Sequence, residues 1–135
     1  MAGYSGTPLI KKLGIKPGMK IHIIQAPDNY FNLLGEYPEN ANLSNRFSPE
    51  TDFIHIFAGS RKAFDTFFPK AIKSIRKDGA IWVSWPKKAS GIKTDLTEDI
   101  IRDIALRAGL VDVKVCAVDE IWSGLKIVYR VKDRK

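Results

Sequence analysis

The run A-I-W-V-S-W at Ala80–Trp85, with Asp78-Gly79 before it and Pro86 after it, constrains the fold more than any other stretch of the chain. Only Ser84 interrupts its apolar character, whereas a strand with one face in water would alternate. The run therefore predicts a strand buried on both faces, as in a parallel sheet. Asp78-Gly79 reads as the turn that releases a preceding helix into this strand. Pro86 has no N–H to donate, so the ladder should end at or before it. Lys87, Lys88, Ala89, Ser90 and Gly91 then fall in a loop at the carboxyl end of the strand, the edge at which open α/β sheets bind ligands.

The rest of the chain fits around that strand. Thr7 reads as an N-cap, with Pro8 at the first helical position and Gly14 past the end of a short helix. Pro17-Gly18 is a tight turn, and Met19 to Ala26 reads as a first strand stopped by Pro27. Asp28 is placed to cap a short helix through Leu34, with Gly35 as its stop. Leu43 to Phe47 is a candidate edge strand, and Phe53 to Ala58 (F-I-H-I-F-A) a second buried one. Ser60 caps a helix whose Phe64, Phe67, Phe68, Ala71, Ile72 and Ile75 recur at three- and four-residue steps. Pro69 lies inside that pattern and predicts a kink or break near Phe68. Asp95 and Glu98 resemble a capping box for a helix with Ile100, Ile101, Ile104 and Ala105 inward and Gly109 at its close. Strands near Val111–Val118 and Leu125–Val131, joined by D-E-I-W-S-G, predict a closing antiparallel hairpin. This order predicts an α/β fold: a three-layer sandwich around a mostly parallel sheet with an antiparallel C-terminal hairpin.

At 135 residues the chain is one domain, 1–135, with residues 1–6 expected as a flexible tail and 132–135 as a basic one. No apolar segment approaches a membrane span, and residues 1–20 lack the apolar centre of a signal peptide. A single cysteine excludes an internal disulfide and a cysteine-built zinc site, which points to a reducing, cytoplasmic setting. The net charge of +7 is unevenly spread. Residues 1–20 hold four lysines and no acid, residues 61–77 six bases against Asp65, and Lys87, Lys88 and Lys93 form a third cluster. Such an excess can favour anionic partners, nucleic acid included; solvated helix faces and a frayed tail are the simpler and preferred reading.

Two resemblances emerge from these motifs. The segments I-K-P-G-M-K-I, I-R-K-D-G-A-I-W-V and A-G-L-V-D-V-K-V…G-L-K-I-V-Y-R resemble the turns and closing hairpin of the Rossmann-like S-adenosylmethionine-dependent methyltransferases. The segments G-Y-S-G-T-P-L-I-K-K-L-G-I-K, W-P-K-K-A-S-G, D-L-T-E-D and V-D-V-K-V-C-A-V-D-E-I-W-S-G-L-K resemble an uncharacterised bacterial family, which supplies no activity. The methyltransferase resemblance implies a glycine-rich turn after the first strand, letting backbone approach the cofactor. That position reads I-Q-A-P-D-N-Y, with no glycine before Gly35. The Pro-Pro-aromatic motif common at the end of the fourth strand in those enzymes is replaced by A-G-S-R. The fold is thus expected without its cofactor site, and no cofactor is expected.

The best candidate site is the crevice at the carboxyl edge. There Lys87, Lys88, Ser90 and Gly91 have the chemistry to hold a phosphate or carboxylate, with Asp28, Asn29, Ser60 and Arg61 from neighbouring strand ends. The competing reading pairs the lysines with Asp95, Glu98 and Asp99, and makes Asp28 and Ser60 helix caps. Trp85 and Trp122 are candidates for stacking or for packing. His22 and His55 meet only if their strands are neighbours, and with no third ligand they read as a structural pair. Cys116 lies in an apolar strand and reads as inert. The expected function is a non-catalytic cytoplasmic binding or regulatory domain on a degenerate methyltransferase-like scaffold, for a protein partner or small anion. Alternatives are an enzyme of unrecognised type acting on an anion at the carboxyl edge, and nucleic-acid binding through the basic clusters.

Overall fold

The computed structural model describes residues 7–134; the tail expected over residues 1–6 lies outside them. Six strands form one sheet: β1 (Lys20–Ile24), β2 (Asn42–Ser44), β3 (Thr51–Phe57), β4 (Ile75–Pro86), β5 (Leu110–Ala117) and β6 (Trp122–Tyr129). Their spatial order is β2-β1-β3-β4-β6-β5. The pairs from β2 to β4 are parallel, and β6 is antiparallel to both β4 and β5. The reversed strand β6 is therefore inserted next to the outermost one, β5, and the two form the antiparallel C-terminal hairpin expected from the sequence. Among the described residues four α-helices complete the fold: α1 (Leu9–Leu13), α2 (Tyr30–Leu34), α3 (Arg61–Ser74) and α4 (Glu98–Arg107).

The helices divide between the faces because the central strands are apolar on both. Phe53, Phe57 and Trp82 face one way, into a core with Leu9, Leu13, Tyr30 and Leu34 of α1 and α2. Ile54, Ile56, Ile81 and Val83 face the other, against Phe64, Phe68, Ile101 and Ala105 of α3 and α4. This is the three-layer sandwich that continuous apolar strands require. Ile101 and Ala105 are buried, while Ile100 and Ile104 are only half-buried at the margin of the stripe.

Several local expectations are corrected. Thr7 does not cap α1; Pro8 occupies the cap position without a side-chain bond, and Gly14 closes the helix at φ 81°. Asn29, not Asp28, precedes α2. The second strand is shorter and earlier than Leu43–Phe47. Helix α3 runs without a break through Pro69. Pro69 and Asp65 are both exposed, so water can serve the Asp65 carbonyl that the proline leaves without a donor. The hairpin joining β5 and β6 turns through Val118–Ile121, because Trp122, Ser123 and Gly124 already pair with β4. Val131 falls beyond β6, in a single 3-10 turn.

Asp78-Gly79 is not a turn. Strand β4 begins at Ile75, directly after α3, and the ladder with β3 shifts register between Thr51↔Ile75 and Phe53↔Ala80. Gly79 sits in that irregularity because a Cβ there would stand 2.8 Å from the Asp52 carbonyl oxygen and 3.0 Å from the Ile75 side chain. Backbone cannot give way as a flexible side chain does. Gly79→Ala is therefore expected to destabilise the fold by about 1–3 kcal/mol, read from the midpoint of urea unfolding. An unchanged midpoint would place the two strands further apart than described here.

Candidate functional site

Three strand ends build the carboxyl edge. After β1 the chain turns at Gln25, whose φ of 59° is left-handed, and Ala26-Pro27 lead into α2. After β3, Ser60 accepts from the Ala63 N–H at 3.1 Å and caps α3. After β4, the Lys87 N–H donates to Ile121 O at 2.8 Å, and Lys88–Ser90 form a 3-10 turn closed by Gly91 at φ 78°.

The chain then folds back over the β3 loop. Thr94 Oγ1 donates to Gly59 O at 2.9 Å, and Asp95 Oδ1 accepts from the Arg61 N–H at 2.7 Å. Asp95 is thus not the cap of α4; Thr97 is, accepting from the Ile100 N–H at 3.3 Å. The first turn of α3 carries unpaired N–H groups and the positive end of the helix dipole, a place that attracts anions. Here the protein's own Asp95 carboxylate takes it.

These bonds sort the eight residues singled out from the sequence. Ser60 and Arg61 are engaged at the start of α3, where the Arg61 guanidinium also meets Asp65 at 3.1 Å. Lys88 and Gly91 line a cleft of about 740 Å³ with Trp85, Pro86, Ile92, Lys93, Thr94, Leu96 and Thr97. The Ser90 hydroxyl is spent locally, donating to Lys87 O at 2.7 Å and accepting from the Ile92 N–H. Asp28 lines a separate hollow of about 260 Å³ with Pro27, Tyr30, Phe31 and Leu43. Asn29 is exposed. The carboxyl edge therefore presents two separate openings, not one crevice. Among the described residues, none of the ion pairs includes Lys87 or Lys88, so the expected pairing with Glu98 and Asp99 is absent. Those acids bind Arg102 instead, which also meets Asp112 of β5.

The histidines do not meet. Register pairs His22 with Ile54 and Ile23 with His55, so the imidazoles project from opposite faces of the sheet. His55 is fully buried and bonded at both nitrogens: Tyr30 Oη lies 2.9 Å from Nδ1 and Ser84 Oγ 2.7 Å from Nε2. Phe57 stacks on the ring at 4.3 Å. Burial pushes the His55 imidazole down to about 3 and, with a smaller push from Cys116, raises the Tyr30 phenol. A neutral His55 satisfies both partners, accepting at one nitrogen and donating at the other. Tyr30 borders the smaller hollow, but its hydroxyl is taken by the buried His55, and Ser84 lines neither opening, so the network is a structural tie. It was findable. His55 and Ser84 are the lone polar residues in two buried runs, and a buried polar side chain needs a partner. His22 is buried edge-on to Phe47 at 4.8 Å, and burial lowers its pKa.

Trp85 is buried, whereas Trp122 is half-buried and packs edge-on to Phe57 at 5.1 Å. Burial raises the pKa of the half-buried Cys116 thiol, which does not favour a thiolate. Among the described residues no three His, Cys, Asp or Glu side chains gather as a metal ion would need. Among the same residues no helix is long and apolar enough to cross a membrane.

No protein-family model matches the chain, and no curated protein matches it. Solved structures do. A ribosomal protein L11 methylase from Lactobacillus delbrueckii subsp. bulgaricus superposes with a TM-score of 0.59 at 11% identity, over 90% of this chain and 74% of that one. A SAM-dependent methyltransferase from Aquifex aeolicus gives 0.56 at 15% identity, over 87% and 86%. A TehB-like SAM-dependent methyltransferase from Corynebacterium glutamicum gives 0.57 at 12%, over 90% and 85%. Strand order, the reversed β6 and these superpositions define one class: the fold is Rossmann-like and similar to that of the S-adenosylmethionine-dependent methyltransferases. Likeness at such identities concerns the fold; activity has to be argued from the site.

Proposed function

We propose that this chain is a non-catalytic, cytoplasmic binding or regulatory domain on a methyltransferase-like scaffold, taking a protein partner or small anion at the cleft beside Trp85 and Lys88. The observation that carries this reading is the turn after β1. Gln25 places a side chain on left-handed backbone, where glycine would leave room for a ligand to approach. Pro27 removes a donor from the same turn. The hollow beside it, about 260 Å³, is smaller than the roughly 300–1,000 Å³ of a usual small-molecule site. The cleft after β4 is larger, and Lys88 and Lys93 give it positive charge above the apolar Trp85 and Leu96.

Calorimetric titration with S-adenosylmethionine checks the reading. No saturable heat is expected at millimolar ligand. Binding at micromolar concentration, weakened by a bulkier residue at Ala26, would show that the turn still serves a cofactor.

A further inference from the structure

The amino edge of the sheet, opposite the loops described above, holds a second concavity. The end of α1, the starts of β3 and β4, the two closing strands and Arg134 enclose about 460 Å³. Lys16, Lys126 and Arg134 line it, with Val113 and Val128 among its apolar walls. Lys126 is half-buried, and its Nζ lies over Gly14, 3.6 Å from where a Cβ would stand. Its register partner across β5 and β6 is Lys114. Two like charges directly opposite on one face of an antiparallel pair weaken a sheet.

No ion pair among the described residues offsets that cost: none involves Lys16, Lys114, Lys126 or Arg134. The acids that also line it, Asp52 and Asp78, are committed elsewhere. Asp52 accepts from the Lys20 N–H at 2.9 Å, and Asp52 and Asp78 meet Arg76 at 3.5 and 3.0 Å. Lys114 has a local role, its Nζ donating to Lys12 O at 3.1 Å, and Arg134 Nε is held by Tyr129 O at 2.9 Å. Lys126 has neither reason. Burial, then the charges of Lys114, Lys16 and Arg134, lower its pKa. A half-buried cation facing three others is the kind of local conflict that folds keep at sites and seldom elsewhere.

We propose that this amino-edge hollow binds a phosphorylated small molecule of nucleotide size, its phosphate held by Lys16, Lys126 and Arg134 and its organic part against Val113 and Val128. The volume lies within the usual range for such ligands. A nucleic-acid strand would instead need a continuous basic track. The basic segments lie on different faces, since α1 and α3 pack on opposite sides of the sheet. The site is remote from the carboxyl-edge cleft, so its failure would leave the reading of that cleft untouched.

The full chain is titrated calorimetrically with pyrophosphate, with a nucleoside triphosphate and with a single-stranded oligonucleotide at two salt concentrations. The first two are expected to bind, more weakly at high salt. Lys126→Gln should weaken both by at least about tenfold, and Lys70→Gln, on the exposed side of α3 and lining neither opening, should change neither. Without ligand, Lys126→Gln should melt higher than the parent, because it relieves repulsion. The proposal is overturned if neither phosphate binds, if Lys126→Gln binds as tightly as the parent, or if the oligonucleotide alone binds. A lower melting temperature for Lys126→Gln would also overturn it, by making Lys126 a folding contact.

Discussion

Trp82→Ala is expected to lower stability by about 3–5 kcal/mol, a large share of what a domain of this size has to lose. The indole is wholly buried, and its Nε1–H donates to Leu13 O at 2.9 Å. It lies in register with His55 on β3 and Lys126 on β6, at the middle of the face that α1 covers. Truncation removes the ring's burial, opens a cavity and strips the Leu13 carbonyl of its donor. Helix α1 has five residues, too few to persist without its packing. Equilibrium urea unfolding measures the loss. Trp82→Phe, which keeps most of the volume but not the donor, should lose less. A Trp82→Ala loss below about 1 kcal/mol would mean that α1 is anchored by something else.

Acid is expected to act on the same face through His55. Its pKa is about 3 in the folded protein against 6.5 for the free side chain. Between those values the unfolded chain holds a proton that the folded one does not. Stability is therefore complete above pH 6.5 and falls as pH drops below it, levelling only near the folded value. The full span corresponds to a loss on the order of 5 kcal/mol. His22, also lowered by burial, acts in the same direction. The informative window is pH 6.5 to 4.5, above the range in which most carboxylates titrate. There the parent's melting temperature should fall steeply. His55→Gln should be less stable at pH 7 but change less across that window. Parallel curves for the two proteins would locate the acid sensitivity elsewhere.

Much of the architecture was legible from local pattern. The runs at Phe53–Ala58 and Ala80–Trp85 are apolar without alternation, and only burial on both faces suits such a strand. Gly14 and Gly35 each stop a helix on left-handed backbone, and Ser60 caps α3 as read. Local pattern misled where two solutions compete. Asp95 and Thr97 both suit a cap for α4, but Asp95 is drawn off by Arg61, thirty-four residues away. Asp78-Gly79 has the composition of a turn, yet close approach of the Asp52 carbonyl calls for a glycine within a strand.

The candidate site was legible only in part. The eight residues lie at the carboxyl edge, but Asp28, Lys88 and Gly91 divide between two openings, Ser60 and Arg61 are taken up at the capped start of α3, and Asn29, Lys87 and Ser90 line neither opening. Which lysine finds an acid depends on distances that no spacing encodes. Arg102 collects Glu98, Asp99 and Asp112, leaving Lys88 to the cleft.

From its order of residues alone, the chain determined the α/β class, its two double-faced strands and the absence of glycine after β1, because each follows from the geometry of neighbours in sequence. Tertiary structure alone decided that His55 ties Tyr30 to Ser84 and that Asp95 seats itself at α3. It also decided that three cations from separate segments, Lys16, Lys126 and Arg134, line one hollow. Hydrogen bonds and charge pairs act over a few ångströms of space, and only the folded sheet brings such residues within that reach.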